Sequence, residues 1–352
     1  MGSFESRVFK NEEILSPEYL PELLLHREQQ IKQLANNLEP AAKGRKPQNT
    51  FLFGSPGIGK TASTKFIFRQ LEEEYPNVKT IYINCWDYKT ANSVLGKIAE
   101  ELKSFVSRRG VGKDEILEKI VESCKKMKKG LVVCLDEVDQ LIFNDQEVLY
   151  DLLRINQYIE NPVGLVFISN NPHVFANVEP RIKSSLNIEE IEFKAYSIEE
   201  MKDILQERAK IAFVSFEPAV VLLSANHAVM NDGDVRVGLE CLMKAGRIAE
   251  QEGNKVKVEH VKKILSGVKP VKPEILKEKI SEDERIILEV IDEYRTLNSG
   301  ELYELYSKKV EVPVSDRRFR DFVNHLANIG LVKIRERKRG ILGKTRVISK
   351  IV

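Results

Sequence analysis

Residues 50–61 read TFLFGSPGIGKT. An apolar run meets Gly54, four residues follow, and then Gly59-Lys60-Thr61, the full pattern of a phosphate-binding loop between a strand and a helix. Its glycines let the backbone curl until N–H groups face phosphate oxygens, at the positive end of a helix expected over Ala62–Glu74. The stretch Gly54, Ser55, Pro56, Gly57, Ile58, Gly59, Lys60, Thr61 and Ala62 is therefore expected to wrap the phosphates of a nucleotide. Lys60 would set its ammonium on the β- and γ-phosphates, and Thr61 would hold Mg²⁺ through its hydroxyl. The competing reading, a chance glycine loop, accounts for neither flank.

Such a loop needs a carboxylate on the metal side, and LVVCLDEVD (131–139) offers one. Five apolar residues predict a buried parallel strand, and the acids stand where it ends. Asp136 is placed to hold Mg²⁺ and Glu137 to polarise an attacking water. A helix cap after a core strand is the plainer alternative. A further apolar run, GLVFISNN (164–171), ends in paired asparagines, whose amides suit either a turn or the orientation of a water beside the γ-phosphate.

Taken together, GSPGIGKT, LDEVD, ISNN, EPRIKSSL (179–186) and GDVRVGL (233–239) resemble the AAA+ ATPases. Their order and spacing resemble the archaeal origin-recognition and cell-division-control initiators. LSPEYLPELLLHREQQIKQL (15–34) looks like that family's nucleotide-base motif, and INCWDYKTANSVL (83–95) like its second strand and following helix. The resemblance implies a parallel α/β AAA+ core, an all-α lid and a C-terminal winged helix. It implies ATP or ADP with Mg²⁺ as ligands. It assigns Asn170 to sensor 1, Arg181 to the position of an arginine finger on a neighbouring subunit's ATP, and Arg236 to sensor 2. At both arginines a planar, permanently charged fork suits phosphate oxygens. Plain surface positions, beside a turn for Arg181 and at a helix start for Arg236, are the alternatives. Gly238 stands where the family usually has a small Ala-like residue, leaving lid rigidity open.

The chain has 352 residues, too many for one ordinary core. Apolar runs at 50–53, 80–84, 131–135 and 164–169 alternate with helical stretches, the pattern of a parallel sheet covered on both faces. From Tyr196 the texture turns helical, opening on the capping box of SIEE (197–200) and continuing to about Ser266. The expected division is an α/β domain over 1–195, a lid over 196–267, a Lys- and Pro-rich linker over 268–280 and a last domain over 281–352. No run has the length of a membrane span, and MGSFESRVFKNEE lacks the apolar core of a signal peptide, so a cytoplasmic, nucleoid-associated protein is expected. The four cysteines show no metal-ligand spacing and read as reduced thiols.

Net charge is only +2, yet seven of the fourteen residues in KIRERKRGILGKTR (333–346) are Lys or Arg. Residues 306–352 carry 13 basic and 4 acidic side chains, whereas 281–305 carry 2 and 8. Three helical stretches precede this segment. In the third, Phe319, Phe322, Val323, Leu326 and Ile329 share a face beneath Arg317, Arg318, Arg320 and Asn324, with Ser315 as N-cap. An Arg/Asn face suits the major groove, where Arg reads guanine and Asn adenine. The basic run then reads as a two-stranded wing, with Arg335, Arg337, Lys338, Arg339, Lys344 and Arg346 on DNA phosphates. Arg108 and Arg109, beside Gly110, form a second basic loop in the region where the family carries an initiator-specific motif. A protein-docking winged helix and a solvated basic loop are the alternatives. The functional expectation is an ATP-dependent initiator that binds duplex origin DNA, works with other initiator subunits and recruits or loads a replicative helicase. The alternative is a DNA-bound AAA+ regulator, either a transcription factor or a repressor paralogue occupying origins.

Overall fold

The computed structural model describes residues 7–104, 112–127, 129–176, 178–253, 255–267, 281–294, 296–310, 313–328, 332–338 and 344–350. The chain divides into two compact units, Met1–Gly267 and Val268–Val352. The expected linker at 268–280 lies outside the described residues.

Strands β1 (Asn49–Phe53), β2 (Val78–Asn84), β3 (Gly130–Asp136), β4 (Val163–Ser169) and β5 (Ile188–Glu192) form a parallel sheet in the order β2-β3-β4-β1-β5. Every residue of β3 and β4 is buried, as strands covered on both faces require. Alternation sends their side chains to opposite faces. Leu52, Val132, Cys134, Val166 and Ile168 enter one core cluster, and Phe51, Val133, Leu135, Leu165 and Phe167 enter the other. The first face is covered by α1 (Glu28–Leu38) and α2 (Lys60–Glu74). The second is covered by α3 (Ala91–Glu101), α4 (Lys113–Met127), α5 (Val138–Asp145), α6 (Glu147–Arg154) and α7 (Pro180–Leu186). Strand β5 is one that the apolar-run criterion passes over. Its IEEIE buries only Ile191, which fits an edge where charge discourages further pairing.

The lid follows as α8 (Ile198–Ala212), α9 (Pro218–Met230), α10 (Val235–Glu252) and α11 (Val258–Gly267). Ser197 and Glu200 close the capping box at the start of α8, each side chain accepting the other's backbone N–H at 3.2 and 2.7 Å. Gly238 stands at a close contact between two lid helices. A Cβ there would stand 2.6 Å from a Leu205 methyl, so α10 lies close on α8 because position 238 has no side chain. The beginning of the chain also belongs with the lid. Val214 N–H donates to the Val8 carbonyl and Lys10 N–H to the Ala212 carbonyl, both at 2.8 Å, while Phe9 and Phe213 pack at 5.2 Å. One continuous core cluster joins this segment, the lid and one face of the sheet.

In the second unit α12 (Glu282–Tyr294), α13 (Ser299–Lys309) and α14 (Asp316–Asn328) precede an antiparallel hairpin of β7 (Val332–Lys338) and β8 (Lys344–Lys350). A short β6 (Thr296–Asn298) pairs with β8, giving the order β6-β8-β7. Ile287, Ile291, Tyr306, Phe319, Leu326 and Ile348 are buried together. Three helices and a hairpin in this order are those expected of a winged helix.

Candidate functional site

Parallel strands bring their carboxyl ends to one edge of a sheet, where open α/β sheets bind ligands. From that edge the segments after β1, β3 and β4 deliver Lys60, Glu137 and Asn170, with Asp136 closing β3. Lys60 is buried and donates from Nζ to the carbonyls of Gly54 and Ser55 and to Asn170 Oδ1, each at 2.8 Å. The Gly57 carbonyl accepts from Val235 N–H at 3.2 Å, and the Ile58 carbonyl from Arg27 Nε at 3.0 Å. Four loop carbonyls are thus taken by the chain itself, the complement of a loop whose N–H groups serve an outside anion. At Gly57 φ is +69°, and a Cβ would lie 1.7 Å from Asp234 Oδ1, so only glycine fits. Ile58 is fully buried and contributes backbone alone.

Asp136 is held by three donors. Thr61 Oγ1 and Tyr82 Oη both donate to its Oδ2 at 2.6 Å, and Glu137 N–H donates to Oδ1 at 2.9 Å. Tyr82, at the end of the neighbouring strand, carried no motif signal. Glu137 has left-handed backbone, φ 54° and ψ 46°, at a cost of about 1–3 kcal/mol for a residue with a side chain. Asn170 Nδ2 lies 3.3 Å from both Glu137 carboxylate oxygens, so its amide bridges Lys60 and Glu137. Burial raises the Glu137 carboxyl above its usual range, and Asp136 and Asp139 push the same way against the lowering by Lys60 and Asn170. Burial pulls the Lys60 ammonium down to about 8.

Above these groups a cleft runs between the core and the lid. Pro56, Gly57, Gly59, Lys60, Thr61, Ala62, Asp136, Glu137 and Asn170 line it from the core, and Arg236, exposed at the start of α10, lines it from the lid. Residues 17–21 and 23–25 form a strap along one wall. The strap is anchored by a residue that local sequence reading missed. Arg27, 4% exposed, donates to the carbonyls of His26, Ile58 and Lys194 and stacks 3.7 Å from the Tyr196 ring centre. A lone arginine before an amphipathic helix carries no local signal of such a clip.

Arg181 is not among the residues lining this cleft. It is half exposed, pairs with Glu179 and Glu147 and lies over the Tyr150 ring. In the second unit Arg317, Arg318 and Arg320 are exposed on α14. Arg320 is paired with Asp316, and Asn324 Oδ1 accepts from Arg346 Nη1 of β8 at 3.3 Å. Arg335, Arg337, Lys338 and Lys344 take their places in the paired strands, opposite Val347, Thr345, Lys344 and Lys338. Arg108, Arg109 and Arg339 lie outside the described residues. Among the described residues no helix is long and apolar enough to cross a membrane, and no three His, Cys, Asp or Glu gather as a metal cage.

Residues 43–173 match the family model of an AAA domain, and residues 202–264 match that of the Cdc6 AAA+ ATPase-type lid domain. The chain is 36% identical to the ORC1-type DNA replication protein 1 of Sulfurisphaera tokodaii over 98% of this chain and 90% of that one. It is 38% identical to the protein of the same description from Archaeoglobus fulgidus, over 96% and 87%. The structure of the Aeropyrum pernix ORC1 protein in complex with DNA superposes with a TM-score of 0.81 at 34% identity, covering 98% of this chain and 94% of that one.

Proposed function

Because the chain belongs to the ORC1-type DNA replication proteins, we propose that it is a nucleotide-switched replication initiator that binds duplex origin DNA. The observation that carries this reading is the meeting of Lys60, Asp136, Glu137 and Asn170 on one sheet edge under a lid that presents Arg236. The same chain bears a basic helix and hairpin unit of the kind that docks on DNA.

The residues fit ATP with Mg²⁺. The carbonyls of Gly54, Ser55, Gly57 and Ile58 are taken by the chain's own donors, the arrangement of a loop whose N–H groups serve an anion, and Asp136 with the Thr61 hydroxyl supplies hard oxygen ligands of the kind magnesium takes beside phosphate. Mg²⁺ held there would supply Lewis-acid stabilisation of charge developing on the phosphates. Lys60 holds the β- and γ-phosphates in place of the carbonyls it now touches. Arg236 brings the lid onto the γ-phosphate. Glu137, its carboxylate steadied by Asn170, orients the attacking water. Hydrolysis is slow and serves to end the DNA-bound state. Arg181, outside its own cleft and exposed, suits a role on the nucleotide of an adjoining initiator subunit. Arg317, Arg318, Arg320 and Asn324 enter the major groove, while the hairpin cations, with Arg108 and Arg109, hold phosphates. The bound protein then recruits the replicative helicase.

The test is selection of fragmented genomic DNA by the purified protein with ATP at physiological salt, followed by sequencing. Enrichment of a few intergenic sites sharing a short element, with helicase recruited to them, is the expected result. Promoter-wide enrichment would point instead to a transcriptional regulator, and no enrichment would reduce the basic unit to a general phosphate clamp.

A further inference from the structure

The cleft has two chemically different linings. Lys60, Thr61, Asp136 and Arg236 make one, and Leu20, Leu24, Ile204 and Leu239 make the other. A nucleotide divides the same way, with its phosphates on the polar lining and its base on the apolar one. Arg208 of α8 also lines the cleft and is 6% exposed. Its guanidinium lies 4.6 Å from the Tyr19 ring centre, and its Nη2 donates to the Tyr19 carbonyl at 3.2 Å. Its Nη1 is buried and has no hydrogen-bond partner among the described residues. A buried donor left open is uncommon in a folded protein and calls for an explanation.

We propose that Arg208 reads the base of the bound nucleotide, Nη1 donating to a ring-nitrogen acceptor on the edge of a purine held between the strap and the lid. The proposal rests on the nucleotide reading above. Tyr19 fixes the guanidinium before the ligand arrives, so the bond forms with little further loss of side-chain freedom. A guanidinium has no acceptor, so it favours a ring nitrogen and cannot pair with an exocyclic amine. It selects for a purine edge and leaves the choice between adenine and guanine to other groups. It also ties strap, base and lid together, since the residue stands on α8 while its anchor is Tyr19.

Equilibrium binding of ADP and of its 1-deaza, 3-deaza and 7-deaza analogues, each with one ring nitrogen replaced by C–H, tests this on the full chain. Wild type should lose about tenfold to a hundredfold on the analogue lacking the nitrogen that Arg208 contacts. Arg208→Leu should lose a similar factor on ADP and nothing further on that analogue, the non-additivity expected of a direct contact. Arg208→Lys, which keeps the charge and loses the fork, should fall between. Wild-type indifference to all three analogues overturns the proposal whether or not the variants fold. An equal loss by Arg208→Leu on ADP and every analogue overturns it as well, leaving Arg208 a structural strut. Failure of wild type to bind ADP at all would remove the nucleotide reading itself, an outcome distinct from both.

Discussion

Lys60, Thr61 and Asp136 are legible in the sequence because each sits inside a motif of fixed local spacing. Tyr82 and Arg27 are not, because their partners lie 54 and 31 residues away and only the sheet brings them together. Tyr82 shares one carboxylate oxygen of Asp136 with Thr61, so Tyr82→Phe should free that oxygen and loosen its aim. The expected result is a higher Mg²⁺ requirement for tight nucleotide binding, with metal-free ADP binding within about threefold of wild type, as loss of one hydrogen bond remote from the nucleotide allows. An unchanged Mg²⁺ titration would leave Tyr82 a packing residue. Glu137→Gln should keep ATP binding and abolish turnover; measured turnover at the wild-type rate would remove Glu137 from the chemistry. Lys60 gives a pH signature. With its ammonium pulled down to about 8 in the free protein, part of the population is uncharged above that pH, while bound phosphates favour the charged form. Binding at pH 8.5 should therefore take up protons and weaken as pH rises, which calorimetry in buffers of different ionisation heat would detect. For folding of the free protein the sign is opposite. The buried ammonium opposes folding below pH 8, and that penalty fades as pH climbs from 8 towards the ordinary lysine value of about 10.4.

Strands β1 to β4 stand out in the sequence by their apolar runs, and the lid as a helical region by the capping box that opens it. Strand β5 does not, since an edge strand with one buried residue offers no run to find. Helix α14 shows its buried stripe plainly. The pairing of Asn324 with Arg346 does not show, because it spans 22 residues, whereas Arg320 and Asp316 stand at the local i,i+4 spacing of helical ion pairs. If α14 reads bases, Arg320→Ala and Asn324→Ala should each weaken specific DNA binding by about 1–3 kcal/mol and random duplex much less. Equal losses on both DNAs would make them backbone contacts. At the lid, Ser197→Ala removes a cap and should cost about 1 kcal/mol of stability, read as a lower melting temperature. Gly238→Leu should cost more, because even a Cβ meets Leu205.

The two units are visible in the sequence as a change of texture and charge. The membership of residues 8–15 in the lid is not visible, because the partners that hold it, among them Ala212, Phe213, Val214 and Arg247, lie far along the chain. Near-zero net charge conceals a basic surplus of nine over residues 306–352, so DNA affinity should fall steeply with salt, by about one unit of log–log slope for each phosphate neutralised. A shallow slope would show that the surplus is solvated. The supports of the phosphate loop carry one more consequence, for the order in which the molecule is made. The Gly57 carbonyl waits for Val235, 178 positions later by residue number, and the Arg27 clip waits for Lys194. At about 5–20 residues per second the ribosome needs roughly 10–35 s to cover the longer interval. Through that time the nascent chain displays its glycine loop without the lid that braces it, so nucleotide capture belongs to a polypeptide already made past Val235 and not to a shorter one.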